Sequence, residues 1–457
     1  MKRIIAFIFV AAFMLTGLLA CSEEMTMLDF IEQSDRIMDF GGLRITCGGC
    51  WGYFHNDGEL GSNTLASDRK IYKTAQVEKD LNVDLYTDNN VMSEDSGYYW
   101  TLYAAGNLHI DITVQHGTPN PIYNMYKSNM LQPLEYMSGI DLSDTEIYGT
   151  PDSRRSVTFG GLTYAYNADL GDDGNNRGFL AYNANHIIRF GVADPQELYE
   201  QGKWTFDTFA EMLPNVSDLS DPNNPIYALT LYNDPQMLPF SAVFANGGQV
   251  VKQNESGKYV LALEDSEAMT ALRWVEGLWQ TSDIYQESWP PSNFRNGFAT
   301  FYLGRTFSIQ SALSDDYYVD EFYYIPFPCG PDGEYGVSSG TYASEAGGTA
   351  FFNSSDTDVV GQVIDYWFRF DNYPDELAFD KKAYDIENNF WSLESYEHYT
   401  RGFEVQGYDY FFQIGDELYN KFSTALYEAT IGERGFTAVF DQYTDRIQAA
   451  LDDSLNK

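Results

Sequence analysis

The stretch "GFLAYNANHIIRFGVADPQELYEQGKWTFDTFAEM", residues 178–212, carries the densest local signals in the chain. Pro195 suits the first turn of a helix, where its missing N–H would have had no intrahelical partner. Gly202 suits the end of that helix, because glycine turns left-handed without steric cost. Thr205 and Asp207 can cap a second helix, with Trp204 and Phe206 as its apolar anchors. Two short helices punctuated in this way form a packing unit. Trp204 is accordingly read as core and not as a ligand contact.

Upstream of this unit, strands and helices alternate. Leu43 to Cys47 reads as a strand, Ser62 to Leu81 as a helix-compatible segment and Val83 to Tyr86 as a second strand. Residues 96–105, "SGYYWTLYAA", look helical and stop at Gly106, and "LHIDITV", residues 108–114, alternates with period two. This order predicts a parallel sheet with right-handed crossovers, whose ligands lie beyond the carboxyl ends of the strands. The CGGCW loop after the first strand and Gln115-His116-Gly117 after the third occupy that place. Downstream, Asp265-Ser266 opens an amphipathic helix through Ala268, Leu272, Val275 and Trp279. The same spacing recurs in Phe436, Phe440, Tyr443, Ile447 and Leu451. Residues 297–350 are rich in Gly, Ser, Pro and aromatics and suit strands and crossing loops.

The N-terminus sets the expected compartment. Lys2 and Arg3 precede the apolar run "IIAFIFVAAFML", residues 4–15, which is a signal segment and too short to span a membrane. Leu18-Leu19-Ala20-Cys21 resembles the lipobox of bacterial lipoproteins, which implies cleavage before Cys21 and lipid on its sulfur. Residues 1–20 are then the signal peptide and 21–41 a tether. The product is expected on the extracellular face of the cell membrane, or in a periplasm, held by two acyl chains.

Removing 20 of 457 residues leaves 437, more than a single core supports, so two lobes are expected. A net charge of −40 without any basic block excludes nucleic acid and anionic lipid headgroups as partners. Three cysteines besides Cys21 remain. Cys47 and Cys50 either form a small disulfide, the favoured reading, or stay as buried thiols beside Cys329. His55, His109, His116, His186 and His398 show no metal-ligand spacing, and no cofactor is expected. There is no Gly-x-Ser-x-Gly elbow, no His-Glu-x-x-His and no phosphate loop. With 67 acidic residues, carboxylate pairs carry no information, and the chain is read as a non-enzyme.

Residues 178–212 also carry a resemblance. Tyr182-Asn183, Gly191, Asp194-Pro195, Glu197-Leu198-Tyr199 and Gly202-Lys203-Trp204-Thr205-Phe206-Asp207 fill the pattern "xxYNxxxxxxxGxxDPxELYxxGxWTWDxF". This pattern recurs in sugar-binding extracellular solute-binding proteins of ABC importers, the maltose-binding-protein-like family. "HIDITVQHG" (109–117), "MLQPLEYM" (130–137), "FGGLTYAY" (159–166), "ANGGQVV" (245–251), "FRNGFATFYLGRTF" (294–307) and "PFPCGPDGEYG" (326–336) resemble further family segments in the same order. The likeness covers about residues 43 to 375.

The resemblance implies an α/β fold of two lobes, each a mainly parallel sheet flanked by helices, hinged by crossing strands. The N-lobe would comprise 42–160 plus 303–348, and the C-lobe 161–302 plus 349–457 with the C-terminal helices. Crossings would fall near Gly160-Gly161, Phe301 to Gly304 and Gly347 to Phe352. It implies a monomeric receptor that closes on a mono- or oligosaccharide and delivers it to ABC permease subunits. The alternatives are a surface-anchored carbohydrate-active enzyme and a binding protein for a non-sugar solute such as a peptide.

A sugar needs aromatic plates for its faces and polar side chains for its hydroxyls. Trp51 follows the first strand, and Gln115 and His116 follow the third, where the family places cleft residues. The chain departs there from the family's usual acidic or aromatic choices. Phe307 falls where relatives carry an aromatic after "Gly-x". Trp391, in "NNFWSLESY", resembles a C-terminal stacking aromatic. Tyr232 and Asn233 follow the strand-like "YALTL". These are the candidate ligand-binding residues.

Overall fold

The structure is a computed structural model. It describes residues 36–48, 54, 65–89, 96–115, 121–151, 153–166, 176–177, 179–232, 234, 236–287, 292–304, 320–338, 340–343, 348–378, 380, 382–383, 386, 390–404, 407–408 and 410–456. Cys21, Cys50, Trp51, His116, Asn233 and Phe307 lie outside the described residues, as does the signal segment.

Two five-stranded sheets organise the chain. The first contains β1 (Leu43–Gly48), β2 (Val83–Asp88), β3 (Ile112–Gln115), β6 (Ala165–Tyr166) and β16 (Gly348–Phe351), in the order β2-β1-β3-β16-β6. The second contains β8 (Phe179–Asn183), β9 (Tyr227–Leu231), β12 (Ile284–Gln286), β13 (Ala299–Gly304) and β14 (Phe322–Ile325), in the order β12-β9-β13-β8-β14. A three-stranded sheet joins β7 (Asn176–Arg177), β15 (Tyr342–Ala343) and β17 (Gly407–Tyr408) beside the passages between lobes. Two hairpins complete the strands, β4 (Thr158–Phe159) with β5 (Leu162–Thr163) and β10 (Val251–Gln253) with β11 (Tyr259–Leu261).

The α/β class and the two lobes agree with expectation, but the sheets are mixed. β1 pairs in parallel with β2 and β3, and β9 with β12 and β13. β16 is antiparallel to β3, and β8 is antiparallel to β13 and β14. The direction follows from the path. A strand that enters its lobe from the other one starts at the sheet edge where the lobe's own strands end.

Helices cover both sheets. α1 (Leu65–Leu81), α4 (Thr145–Tyr148) and α10 (Thr357–Arg369) enclose Ile45, Cys47, Leu85, Ile112 and Val114 on one face of the first sheet. On its other face, α2 (Ser96–Ala104) and α3 (Pro121–Lys127) pack with Phe159 and Phe352. In the second lobe, α5 (Ala184–Phe190), α7 (Phe206–Met212), α8 (Met237–Ala245) and α9 (Ser266–Thr281) share one core. α12 (Asp416–Thr430) and α13 (Phe436–Ser454) close it. α6 (Pro195–Glu200) packs at its margin, and α11 (Leu393–Glu404) brings Tyr399 to the opposite face of the sheet. Among the described residues no helix is long and apolar enough to cross a membrane.

The lobe boundaries differ from those expected. β14 belongs to the second sheet, although 303–348 was assigned to the N-lobe. β16 and α10 complete the first lobe, although 349–457 was assigned to the C-lobe. Val360, Val363, Ile364 and Trp367 form a helical stripe, and such a stripe says that a face is buried without saying against which core. Gly361 lets α10 approach closely, since a Cβ there would stand 2.4 Å from the Ser138 carbonyl oxygen. Gly160-Gly161 is not a crossing. Both residues have positive φ, 59° and 81°, and make the two-residue turn of the β4–β5 hairpin. Phe301 to Gly304 lies inside β13, between β9 and β8. The chain instead passes between sheets from β6 to β8, from β14 to β16, and after α10.

The opening motif folds as its signals dictate. Asp194 caps α6 by accepting from Gln196 N, with Pro195 in the first turn. Gly202 follows with φ 69°, and Thr205 caps α7 through Thr208 N. Trp204 is buried, its Nε1 donating to the Pro326 carbonyl at 2.8 Å.

Candidate functional site

The ends of the parallel strands define a mouth on each sheet, the usual place for a ligand in α/β architecture. On the first sheet, β1 ends at Gly48, β2 at Asp88 and β3 at Gln115. The Asp88 carboxylate faces His109 Nε2 at 3.1 Å. Gln115 is fully buried beside Gly348, and its amide donates to Thr113 Oγ1. Its Oε1 has no hydrogen-bond partner among the described residues. A buried acceptor left unpaired costs stability unless something supplies a donor.

The second mouth is more completely described. Tyr232 follows β9, with its N–H on the Leu303 carbonyl at 2.9 Å. Its own carbonyl accepts from Asp234 N at 2.6 Å and from Gln286 Nε2. The Tyr232 side chain is half-buried and packs at the edge of the clusters on both faces of the sheet. Gln236 donates to Asp234 Oδ1 at 3.1 Å and to the Tyr419 hydroxyl at the start of α12. Glu287 accepts from the N–H groups of Ser292 and Asn293 at 2.6 and 3.0 Å, and burial pushes its carboxyl up from the ordinary range. The mouth thus gathers an aromatic ring, two carboxylates, two amides and a phenol. Tyr232, Asp234 and Gln286 are half-buried and can meet a ligand, whereas Gln236, Glu287 and Tyr419 are buried. Among the described residues no group of three His, Cys, Asp or Glu side chains is arranged to hold a metal.

The structure treats the candidate residues differently. Tyr232 and Gln115 stand at the two mouths. α11 runs alongside β14, with Ser395 Oγ accepting from Tyr324 N at 2.9 Å and the Tyr399 ring 5.4 Å from Phe179 at the mouth end. Trp391 lies just ahead of this helix and is half exposed, while its neighbour Phe390 packs on Tyr324 and Tyr399 at 5.5 and 5.1 Å. Cys47 is a free thiol buried in the first core, which corrects the favoured disulfide with Cys50. On β1 its side chain points inward with Ile45, and burial raises its pKa far above the usual thiol range. Sequence reasoning missed Gln236, Gln286, Glu287 and Tyr419. Single polar residues give no periodic signal, and only the fold brings these together.

Beside the second mouth lies a pocket whose lining includes Phe179, Tyr199, Trp204, Tyr335, His398 and Arg401. His398 Nε2 donates to Gln196 Oε1 at 2.6 Å and its ring meets Tyr199 edge-on at 4.7 Å. Burial first, and Arg401 second, lower its pKa from 6.5 to about 4. Unfolded chains therefore bind this proton at a higher pH than the folded protein does. The resulting stability is present above about pH 6.5 and is lost as pH falls toward 4. Melting temperatures between pH 7 and 4 should fall less steeply in His398→Gln than in the wild type. Parallel curves would remove His398 from the acid response.

No family model matches the sequence, and no curated protein matches it. Solved structures do. The GacH receptor of Streptomyces glaucescens, known unliganded and with acarbose, is 14% identical with a TM-score of 0.60, over 91% of this chain and 99% of that one. The galacto-N-biose/lacto-N-biose I-binding protein of an ABC transporter from Bifidobacterium longum is 13% identical, TM-score 0.56, over 91% and 98%. UgpB from Mycobacterium tuberculosis, solved with glycerophosphocholine, is 15% identical, TM-score 0.59, over 90% and 99%. At this identity the likeness establishes a shared fold along nearly the whole chain.

Proposed function

We propose that this protein is the extracellular solute-binding receptor of an ABC importer and that its ligand is a mono- or oligosaccharide. The second mouth carries this reading. Its half-buried Tyr232 follows β9, and the half-buried Asp234 and Gln286 bond its backbone carbonyl, which puts an apolar plate and hydrogen-bonding groups of the kind a neutral sugar requires at one mouth. The fold shared with the acarbose and lacto-N-biose receptors supports it. Ligand contacts from both lobes stabilise the closed form, which the permease recognises. The receptor is a monomer tethered through lipid on Cys21, works outside the cell and catalyses nothing. Trp51, His116 and Phe307 are proposed as further ligand contacts from their places in the sequence, after the first strand, after the third and after Gly304-Arg305.

A thermal-shift screen with mono- and oligosaccharides tests the reading, with peptides and glycerophosphocholine as controls. A true ligand at 100 times its Kd stabilises the protein by about 2.7 kcal/mol. A shift with peptides or glycerophosphocholine and with no sugar would replace the ligand class. Consumption of the sugar by purified protein would replace receptor by enzyme.

A further inference from the structure

Asp453 lies in the last turn of α13, which belongs to the core of the second lobe. Its partners lie in the first lobe, on α3. The Tyr123 hydroxyl is 2.7 Å from Asp453 Oδ2 and 2.9 Å from the Asp453 carbonyl oxygen. Lys127 Nζ is 3.2 Å from the same Oδ2 and 5.2 Å from the centre of the Tyr123 ring. One carboxylate of one lobe is thus held by a phenol and an ammonium of the other.

Both platforms are fixed within their own lobes. α3 buries Ile122 and Met125 in the first lobe. The end of α13 is bound to β11: Asn456 accepts from Tyr259 N at 2.6 Å and donates to the Tyr259 carbonyl at 2.9 Å, and Gln448 donates to that carbonyl at 3.0 Å. Lys258 Nζ bonds Asp452 at 3.0 Å one residue earlier. Neither platform can follow the other when the lobes rotate, so the contact must break or re-form. It also shares no residue with the ligand mouths.

We propose that Tyr123, Lys127 and Asp453 form a ligand-independent latch that favours the lobe arrangement seen here and so sets the population of the binding-competent form. Affinity depends on that population, and the coupling is reciprocal. Only this consequence rests on the receptor reading; the latch itself concerns the ligand-free protein. The ion pair is about half exposed on both sides, which limits its weight. The tyrosine bonds add to it, and a three- to tenfold change in the lobe equilibrium is expected, on the order of exposed pairs plus charge-assisted hydrogen bonds.

The test measures inter-lobe distances in the ligand-free protein by double electron–electron resonance, with one spin label on the surface of each lobe. Asp453→Ala should move the distance distribution, Tyr123→Phe should move it part of the way, and the melting temperature should change little. Lys127→Ala combined with Asp453→Ala should add little to Asp453→Ala alone, and Lys127→Asp with Asp453→Lys should restore part of the wild-type distribution. An unchanged distribution in Asp453→Ala would overturn the latch. So would a lowered melting temperature at unchanged distances, or strict additivity of Lys127→Ala and Asp453→Ala. None of these readings uses a ligand, so a failed sugar screen leaves the latch test intact.

Discussion

Trp204→Ala should destabilise the second lobe by about 3–5 kcal/mol, the range for deleting a fully buried indole. Trp204 is 1% exposed, stacks with Phe301 at 6.2 Å and meets Phe209 edge-on at 5.4 Å. Alanine would leave a cavity between α7 and β13 and strip the Pro326 carbonyl of its Nε1 donor. The backbone on either side also matters. Cys329 N donates to the Trp204 carbonyl at 3.1 Å and Phe206 N to the Cys329 carbonyl at 3.0 Å, so the backbone around Trp204 pins the chain that leaves β14, and the indole adds its bond to Pro326. In calorimetry the second-lobe transition should drop by about 10 °C, given 2–4 °C per kcal/mol for a unit of this size. The first-lobe transition should stay in place, because its cores contain none of these residues. Trp204→Phe should retain part of the loss. A drop below 2 °C in Trp204→Ala would mean that the motif's tryptophan is not core.

The motif around Trp204 was legible because each of its signals is local. Pro195, Gly202 and Thr205 fix their own dihedrals and caps wherever the segment packs. α9 and α13 were legible for a related reason, their apolar spacing being complete within one helix. Lobe membership was not. β14 and α10 carry the same apolar patterns in either lobe, and the choice depends on partners more than a hundred residues away. The start of β3 was misread as well. "LHID" alternates like a strand, yet the strand runs only from Ile112, and just ahead of it the Asp111 carboxylate takes the Thr46 N–H at 2.7 Å while the Asp111 N–H donates to the Thr46 carbonyl at 2.8 Å. Gly160-Gly161 shows the opposite ambiguity, since a glycine pair serves a tight hairpin as well as a crossing. At the mouths, Gln115 and Tyr232 could be placed as residues following strands. Gln236, Gln286 and Tyr419 could not, because a buried glutamine is indistinguishable in sequence from a surface one.

Tyr232→Ala should weaken sugar binding by about tenfold to a hundredfold, equivalent to roughly 1.4–2.7 kcal/mol. A stacked ring supplies on the order of 1 kcal/mol beyond burial, and the rest is the apolar area that the sugar face covers. The loop geometry should survive the change. The bonds from Tyr232 N to Leu303, and from Asp234 and Gln286 to the Tyr232 carbonyl, all use the backbone of residue 232 and not its ring. Removal of the ring therefore leaves these backbone bonds in place. Tyr232→Phe keeps the plate and should lose less, by the value of one hydroxyl bond, about 1 kcal/mol. Titration calorimetry with the sugar identified in the thermal-shift screen separates the two variants. If Tyr232→Ala binds as the wild type does, the sugar does not lie against the mouth of β9, and the binding surface must be sought around the first mouth, near Gln115.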